Sequence, residues 1–232
     1  MMQQELKLIR KNILKNSFLN KAGHIPSAFS IIEILYVLYN ISMKKEDKFL
    51  LSKGHGCLGL YAILLQKNLI TEEQFYSFSK YDSILGGHPD RNKNKNIEIS
   101  AGSLGHGMPI AIGMSLSKKI KNEKGRIYCL IGDGEANEGT TWESSIMADN
   151  LKLNNLICIV DNNNSQTRSL PTNQILKKFN SFGFDVHECD GHDLKQLEES
   201  LNIESEKPIC IIANTIKGYG IKEMVDNMHT WH

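Results

Sequence analysis

Residues 126–164 read RIYCLIGDGEANEGTTWESSIMADNLKLNNLICIVDNNN, and this stretch decides the fold. The apolar runs RIYCLI (126–131) and LICIVD (156–161) have the length and β-branched content of buried strands. Residues 138–150 between them read as a helix. Strand, helix and strand in that order predict a crossover that lays two parallel strands side by side. The rhythm continues with a helix over 172–182, strand FDVHE (184–188), a helix over 193–201 and strand PICIIANT (208–215). The expected fold class is therefore α/β: a doubly wound, mostly parallel sheet with helices on both faces. Ligands of such sheets bind at the C-terminal ends of the strands.

Upstream, Leu6, Ile9 and Ile13 recur at helical spacing and predict an amphipathic helix over 3–20. The segment KAGHIPS (21–27) reads as a loop. Ser30 with Glu33 has the pattern of a capping box and predicts a second helix running to about residue 40. FLLS (49–52) reads as a short strand, CLGLYAILLQK (57–67) as a buried helix, and Thr71 with Gln74 as another capping box. Residues 82–103 lack periodicity and form a long loop, a class that is usually functional or disordered. A helix over 104–120 follows, seeded with Gly107 and Gly113. No repeat, low-complexity tract or linker interrupts the chain. The expectation is one domain, 1–232, that includes the N-terminal helices over 3–40.

Lys+Arg of 27 against Asp+Glu of 26 leaves a net charge of +1 over 232 residues, so no basic field points to nucleic acid. The lysine-dense stretches read as solvated helix faces. The five cysteines form no CxxC pair, and Cys129, Cys158 and Cys210 sit inside apolar strand runs. That suits core packing in a reducing compartment. The charged N-terminus is no signal peptide, and no run reaches the ~20 apolar residues that span a bilayer. The expected location is cytoplasmic, with no membrane partner.

The loop GDGEANEG (132–139) fails the dinucleotide fingerprint, because Asn137 stands at the third glycine position, and it lacks the lysine of a Walker loop. A carboxylate 4 Å from a phosphate is repelled by roughly 4 kcal/mol at an effective dielectric of ~20. Asp133 is thus best read as ligand to a divalent metal that itself holds phosphate oxygens, in the manner of Mg²⁺. Asp161, Asn162, Asn163 and Asn164 end the next strand, and the crossover brings an asparagine there beside Asp133. The competing reading is a tight turn followed by a merely polar loop.

GDGEANEGTTWES…VDNNN resembles the thiamin diphosphate motif of the transketolase family. The resemblance implies metal contacts from Asp133, Asn163 and the carbonyl of Ser165, with Asn162 as the alternative register. The metal would be Mg²⁺, with Ca²⁺ or Mn²⁺ as substitutes. Gly134 would approach the diphosphate, and Glu138 matches a family acid at the cofactor and subunit interface. NEG followed by Trp142 and Glu143 is closer to transketolases encoded as two half-chains than to full-length ones.

Five of the eight histidines follow glycine: His24, His55, His88, His106 and His192. AGHIPS resembles the family segment with a substrate-contacting histidine, which assigns His24 that role. SKGHG implies a cofactor contact for His55, and GGHPD makes His88 a candidate for the substrate's first hydroxyls. AGSLGHG resembles the segment that holds the aminopyrimidine, pointing to Gly102, Ser103 and Leu104. The C-terminal stretch resembles one ending in another active-site histidine, here His232. The catalytic set implied is His24, His88, His232 and Glu138. His106 stands where many members carry Gln and receives no role. His192 reads as shaping a turn, and His187 and His229 as structural.

The resemblance covers only the diphosphate-binding half of a transketolase. It implies the N-terminal subunit of a split enzyme that moves a two-carbon ketol unit from a ketose (phosphate) to an aldose (phosphate). The partner would be a C-terminal transketolase subunit carrying the pyrimidine domain, in an α2β2 assembly. One alternative is a thiamin diphosphate-dependent subunit of a specialised sugar or 2-ketoacid pathway. Another is a non-catalytic subunit that binds cofactor or stabilises a partner.

Overall fold

Strands β1 (Lys48–Leu51), β2 (Ile127–Gly132), β3 (Leu156–Asn162), β4 (Asp185–Asp190) and β5 (Ile209–Asn214) form one sheet in the order β1-β2-β3-β5-β4. All four pairings are parallel. The computed structural model describes residues 2–166, 170, 174–227, 230 and 231. Because side chains alternate along each strand, the apolar runs divide between two cores. Tyr128, Leu130, Ile157, Ile159, Ile209 and Ile211 enter one. Ile127, Cys129, Ile131, Leu156, Cys158, Val160, Cys210 and Ile212 enter the other. Covering both faces is what lets these strands be apolar throughout. Cys129 pairs with Cys158 and Cys158 with Cys210, so three thiols lie on one rung across the middle of the sheet.

Helices α1 (Met2–Asn20), α2 (Ile25–Phe29), α3 (Ile32–Val37), α4 (Cys57–Gln66) and α5 (Glu72–Tyr76) contribute to the first core. Helices α6 (Gly107–Ile120), α7 (Gly139–Asn150) and α8 (Ile175–Ser181) contribute to the second, while α9 (Leu194–Leu201) returns to the first. A last short helix, α10 (Lys222–Asp226), follows β5. This is the α/β sheet expected, with helices on both faces. The capping box of α5 forms as read: Gln74 N–H donates to Thr71 Oγ1 at 3.1 Å, and Thr71 N–H to Gln74 Oε1 at 2.9 Å. Residues 82–103 hold no helix or strand. Among the described residues no helix is long and apolar enough to cross a membrane.

Two expectations need correction. Part of the predicted loop KAGHIPS is helical, since Ile25–Phe29 form α2 with Pro26 in its first turn. Pro is tolerated there because the first N–H groups of a helix lack partners anyway. The Ser30–Glu33 capping box does not form either; Ser30 ends α2, and α3 begins after Ile31 with no side-chain cap. Long-range partners have taken both side chains. Ser30 Oγ donates to Asp161 Oδ2 at 2.8 Å, and Glu33 is engaged by Arg10 and His192. Past Val37 the chain widens into a π-type turn over Leu38–Ser42.

Candidate functional site

The C-terminal ends of β1, β2, β3 and β5 deliver four loops to one cavity of about 200 Å³. Asp133 follows β2, and its N–H donates to the carbonyl of Asp161 on β3 at 3.2 Å. The side chain is 6% exposed, and Oδ1 accepts the N–H of Gly134 at 2.8 Å. Burial first, and the neighbouring Asp161 carboxylate second, push the Asp133 carboxyl above its ordinary range. An anion held at such cost is relieved by a cation.

Asn163 lies beside it with a defined orientation. Its Nδ2 donates to Asp161 Oδ2 at 3.0 Å, so Oδ1 points the other way and accepts Ser165 N–H at 3.1 Å. Asn163 and Ser165 both line the cavity, whereas Asn162 donates to Asn214 Oδ1 at 2.7 Å and does not. Gly134 packs against the Gln166 side chain, which would have to move for a Cβ that would fall 2.6 Å from its Cγ.

Cations face these carboxylates from below and across. Lys53, 1% exposed, pairs with the fully buried Asp161, which also accepts from Ser30 and Thr215. Burial alone would raise the Asp161 carboxyl; Lys53, then Thr215 and Ser30, more than reverse this and hold it below the usual range. Lys217, 3% exposed, lines the cavity, and burial followed by Lys53 lowers its ammonium's pKa. His55 lines it too, pushed down to about 3 by burial and then by the Lys53 charge, and is therefore a neutral imidazole at pH 7. Its ring lies 5.4 Å from that of His24. His24 Nδ1 caps α2 by accepting Ser27 N–H, which puts the proton of the neutral ring on Nε2.

Of the residues expected at the site, His24, His55, Leu104, Asp133, Gly134, Asn163 and Ser165 share the cavity. Gly102, Ser103, His88 and Glu138 are exposed and lie outside its lining. His88 sits against the Lys53–His55 loop, since a Cβ on Gly54 would fall 2.8 Å from its ring. Glu138 N-caps α7 and lies against Gly105. His106 N-caps α6, and its Nδ1 is 3.1 Å from the Leu104 carbonyl. His232 and His229 lie outside the described residues.

Residues 3–232 match the family profile described as the transketolase, thiamine diphosphate binding domain. The chain belongs to the transketolase family. An apulose-4-phosphate transketolase subunit of Actinobacillus succinogenes is 36% identical, over all of this chain and 90% of that protein. The 6-deoxy-6-sulfo-D-fructose transketolase subunit SqwG of a Clostridium species is 33% identical, over 94% of this chain and 86% of that protein. The crystal structure of Campylobacter jejuni transketolase superposes with a TM-score of 0.91 at 28% identity, over 99% of this chain and 40% of that one. The chain thus spans two-fifths of the Campylobacter transketolase and most of the two transketolase subunits.

Four site residues escape a reading of the sequence. Glu135, 2% exposed, accepts the N–H groups of Gly105 at 2.8 Å and Gly132 at 3.2 Å and the hydroxyl of Ser52. It fastens the loop before α6 to the ends of β1 and β2. Lys53 and Lys217 line this transketolase-family cavity, and Asp161 lies buried behind Lys53 as its ion-pair partner. Their position directly after apolar strand runs is the one local signal, since that is where a doubly wound sheet presents its site.

Proposed function

We propose that this chain, as one thiamin diphosphate-binding domain over 1–232, is the N-terminal subunit of a split transketolase. It would move a two-carbon ketol unit from a ketose to an aldose together with a second subunit that carries the pyrimidine domain. The observation carrying this reading is the cavity itself. A buried carboxylate, an amide oxygen and two buried ammonium groups meet at the strand ends of a chain matched along its length to a transketolase subunit.

The donor set fits Mg²⁺ with a diphosphate. Asp133 offers one carboxylate and Asn163 and Ser165 neutral oxygens, the hard ligands Mg²⁺ takes alongside phosphate. Asp133, Asn163 and the Ser165 carbonyl would hold the metal, while Lys217 and His55 would meet the diphosphate beside Gly134. Thiamin diphosphate supplies the electron sink for carbon–carbon cleavage. His24 would present Nε2–H to a substrate hydroxyl, and His88 and His232 would act from the rim. The aminopyrimidine would lie along Gly102–Leu104. Glu138 would face the partner, and exposed Ile110, Ile146 and Met147 on the adjoining helices α6 and α7 suit an α2β2 assembly. Five free, buried cysteines suit a cytoplasmic location. The substrates named for two relatives are anionic sugars, apulose-4-phosphate and 6-deoxy-6-sulfo-D-fructose, and we infer a phosphorylated or similarly charged ketose here.

Calorimetry with thiamin diphosphate and Mg²⁺ tests the metal assignment: Asp133→Ala should bind at least about tenfold more weakly. Unchanged affinity would sink that assignment. Full ketol transfer by the purified chain alone would sink the split-subunit reading.

A further inference from the structure

His192 follows β4 and does more than shape a turn. Its side chain is 5% exposed. Nε2 accepts the backbone N–H of Ile216 at 2.8 Å, and Nδ1 lies 3.1 Å from Glu33 Oε2. A nitrogen that accepts an N–H carries no proton, so the neutral ring donates from Nδ1 to Glu33. The ring also stacks on Tyr219, with centroids 3.6 Å apart and planes at 14°. Glu33 is itself held by Arg10, whose Nη2 donates to Oε1 at 2.6 Å and whose Nε donates to the Tyr219 carbonyl at 3.1 Å. One residue beyond Lys217, Gly218 N–H donates to the Pro26 carbonyl at 3.1 Å.

Lys217 therefore stands between two pinned peptides. Its ammonium is held in the cavity although burial and Lys53 both disfavour a charge there. A long, flexible ammonium left to itself moves toward water. Asp133 and Asp161 attract it, and the contacts on either side fix the backbone from which it reaches: His192 on the Ile216 side and Pro26 on the Gly218 side.

We propose that His192 is a positioning residue: with Glu33 and Arg10 it latches the loop after β5 so that Lys217 is presented to the cofactor's diphosphate. This rests on the diphosphate reading of the cavity given above.

The test is a double-mutant cycle on the full chain copurified with its partner subunit, with thiamin diphosphate and Mg²⁺ titrated by calorimetry. Lys217→Met should weaken binding about tenfold, the loss of one charge-assisted contact. His192→Ala should weaken it about fivefold with Lys217 present and less than about twofold in a Lys217→Met background. His192→Gln, which restores an acceptor and a donor, should recover part of the loss. Arg10→Met loosens the latch from its far end and should show the same dependence on Lys217, which keeps the test available if His192→Ala does not fold. Effects that simply multiply would make His192 a structural residue only and overturn the proposal. Wild-type binding by Lys217→Met would overturn it as well, while a persisting defect in Asp133→Ala would show that the cavity reading itself still stands.

Discussion

Replacing Lys53 by methionine keeps the stem of the side chain and removes the ammonium that faces Asp161. Both side chains are out of solvent, 1% and 0% exposed. Removing one member of a buried pair strands the other charge and costs about 3–5 kcal/mol. Asp161 would keep three donors: Ser30 Oγ at 2.8 Å, Asn163 Nδ2 at 3.0 Å and Thr215 Oγ1. Charge-assisted hydrogen bonds of this kind offset part of the penalty, which places the loss near the lower end, about 3 kcal/mol. For a chain of this size that is a fall in Tm of about 6–12 °C. Removing both charges, in Lys53→Met/Asp161→Asn, should return at least half of the loss, because the two hydroxyls can turn and adapt to an amide. Urea unfolding at pH 7 followed by far-UV circular dichroism, with thermal melts alongside, measures both variants. The reasoning fails if Lys53→Met stays within about 1 kcal/mol of wild type, or if the double variant is less stable than the single one.

Three further outcomes follow from the same geometry. His55 is held neutral in the fold at about 3, against about 6.5 unfolded, so its contribution to stability is complete above pH 6.5 and drains away as pH falls toward 3. The urea midpoint of His55→Gln should vary less over that window, and the wild-type ring should not titrate by NMR between about pH 5 and 8. Glu135→Ala leaves two backbone N–H groups and the Ser52 hydroxyl without their acceptor, at about 1–3 kcal/mol for each buried group, and hydrogen exchange at Gly105 should quicken. Gly107→Ala would set a Cβ 2.2 Å from Ser52 Oγ, an atom held on its other side by Glu135, so a Tm drop of several degrees is expected, about what a 1–3 kcal/mol overpacking penalty gives.

The βαβ unit around GDGEANEG is legible because local pattern and fold agree there: two apolar runs, a helix between them, and polar residues where the strands end. Asp133 and Asn163 are legible for the same reason. Glu135 is not, because the groups that explain it, Gly105 N–H and Ser52 Oγ, come from segments about 30 and 83 residues away. Lys53 and Lys217 are lost among 27 basic residues whose burial composition cannot show. The Ser30–Glu33 pattern misleads in the opposite direction. A local capping signal is outbid by Asp161, Arg10 and His192, none of which adjoins it in sequence.

The rung of Cys129, Cys158 and Cys210 gives the folded chain an internal clock. All five cysteines are buried, and burial pushes the thiols of Cys129 and Cys158 well up, so an alkylating reagent finds little thiolate to attack until something opens. Cys57 sits elsewhere, with Sγ 3.2 Å from the carbonyl of Gly87 in the loop that carries His88. Its labelling rate therefore dates the lifting of that loop, while labelling of the three rung cysteines dates the parting of the strands. Resolved peptide by peptide, with Cys189 on the edge strand β4 read separately, the two events separate local breathing at the rim from rupture of the sheet without any engineered probe.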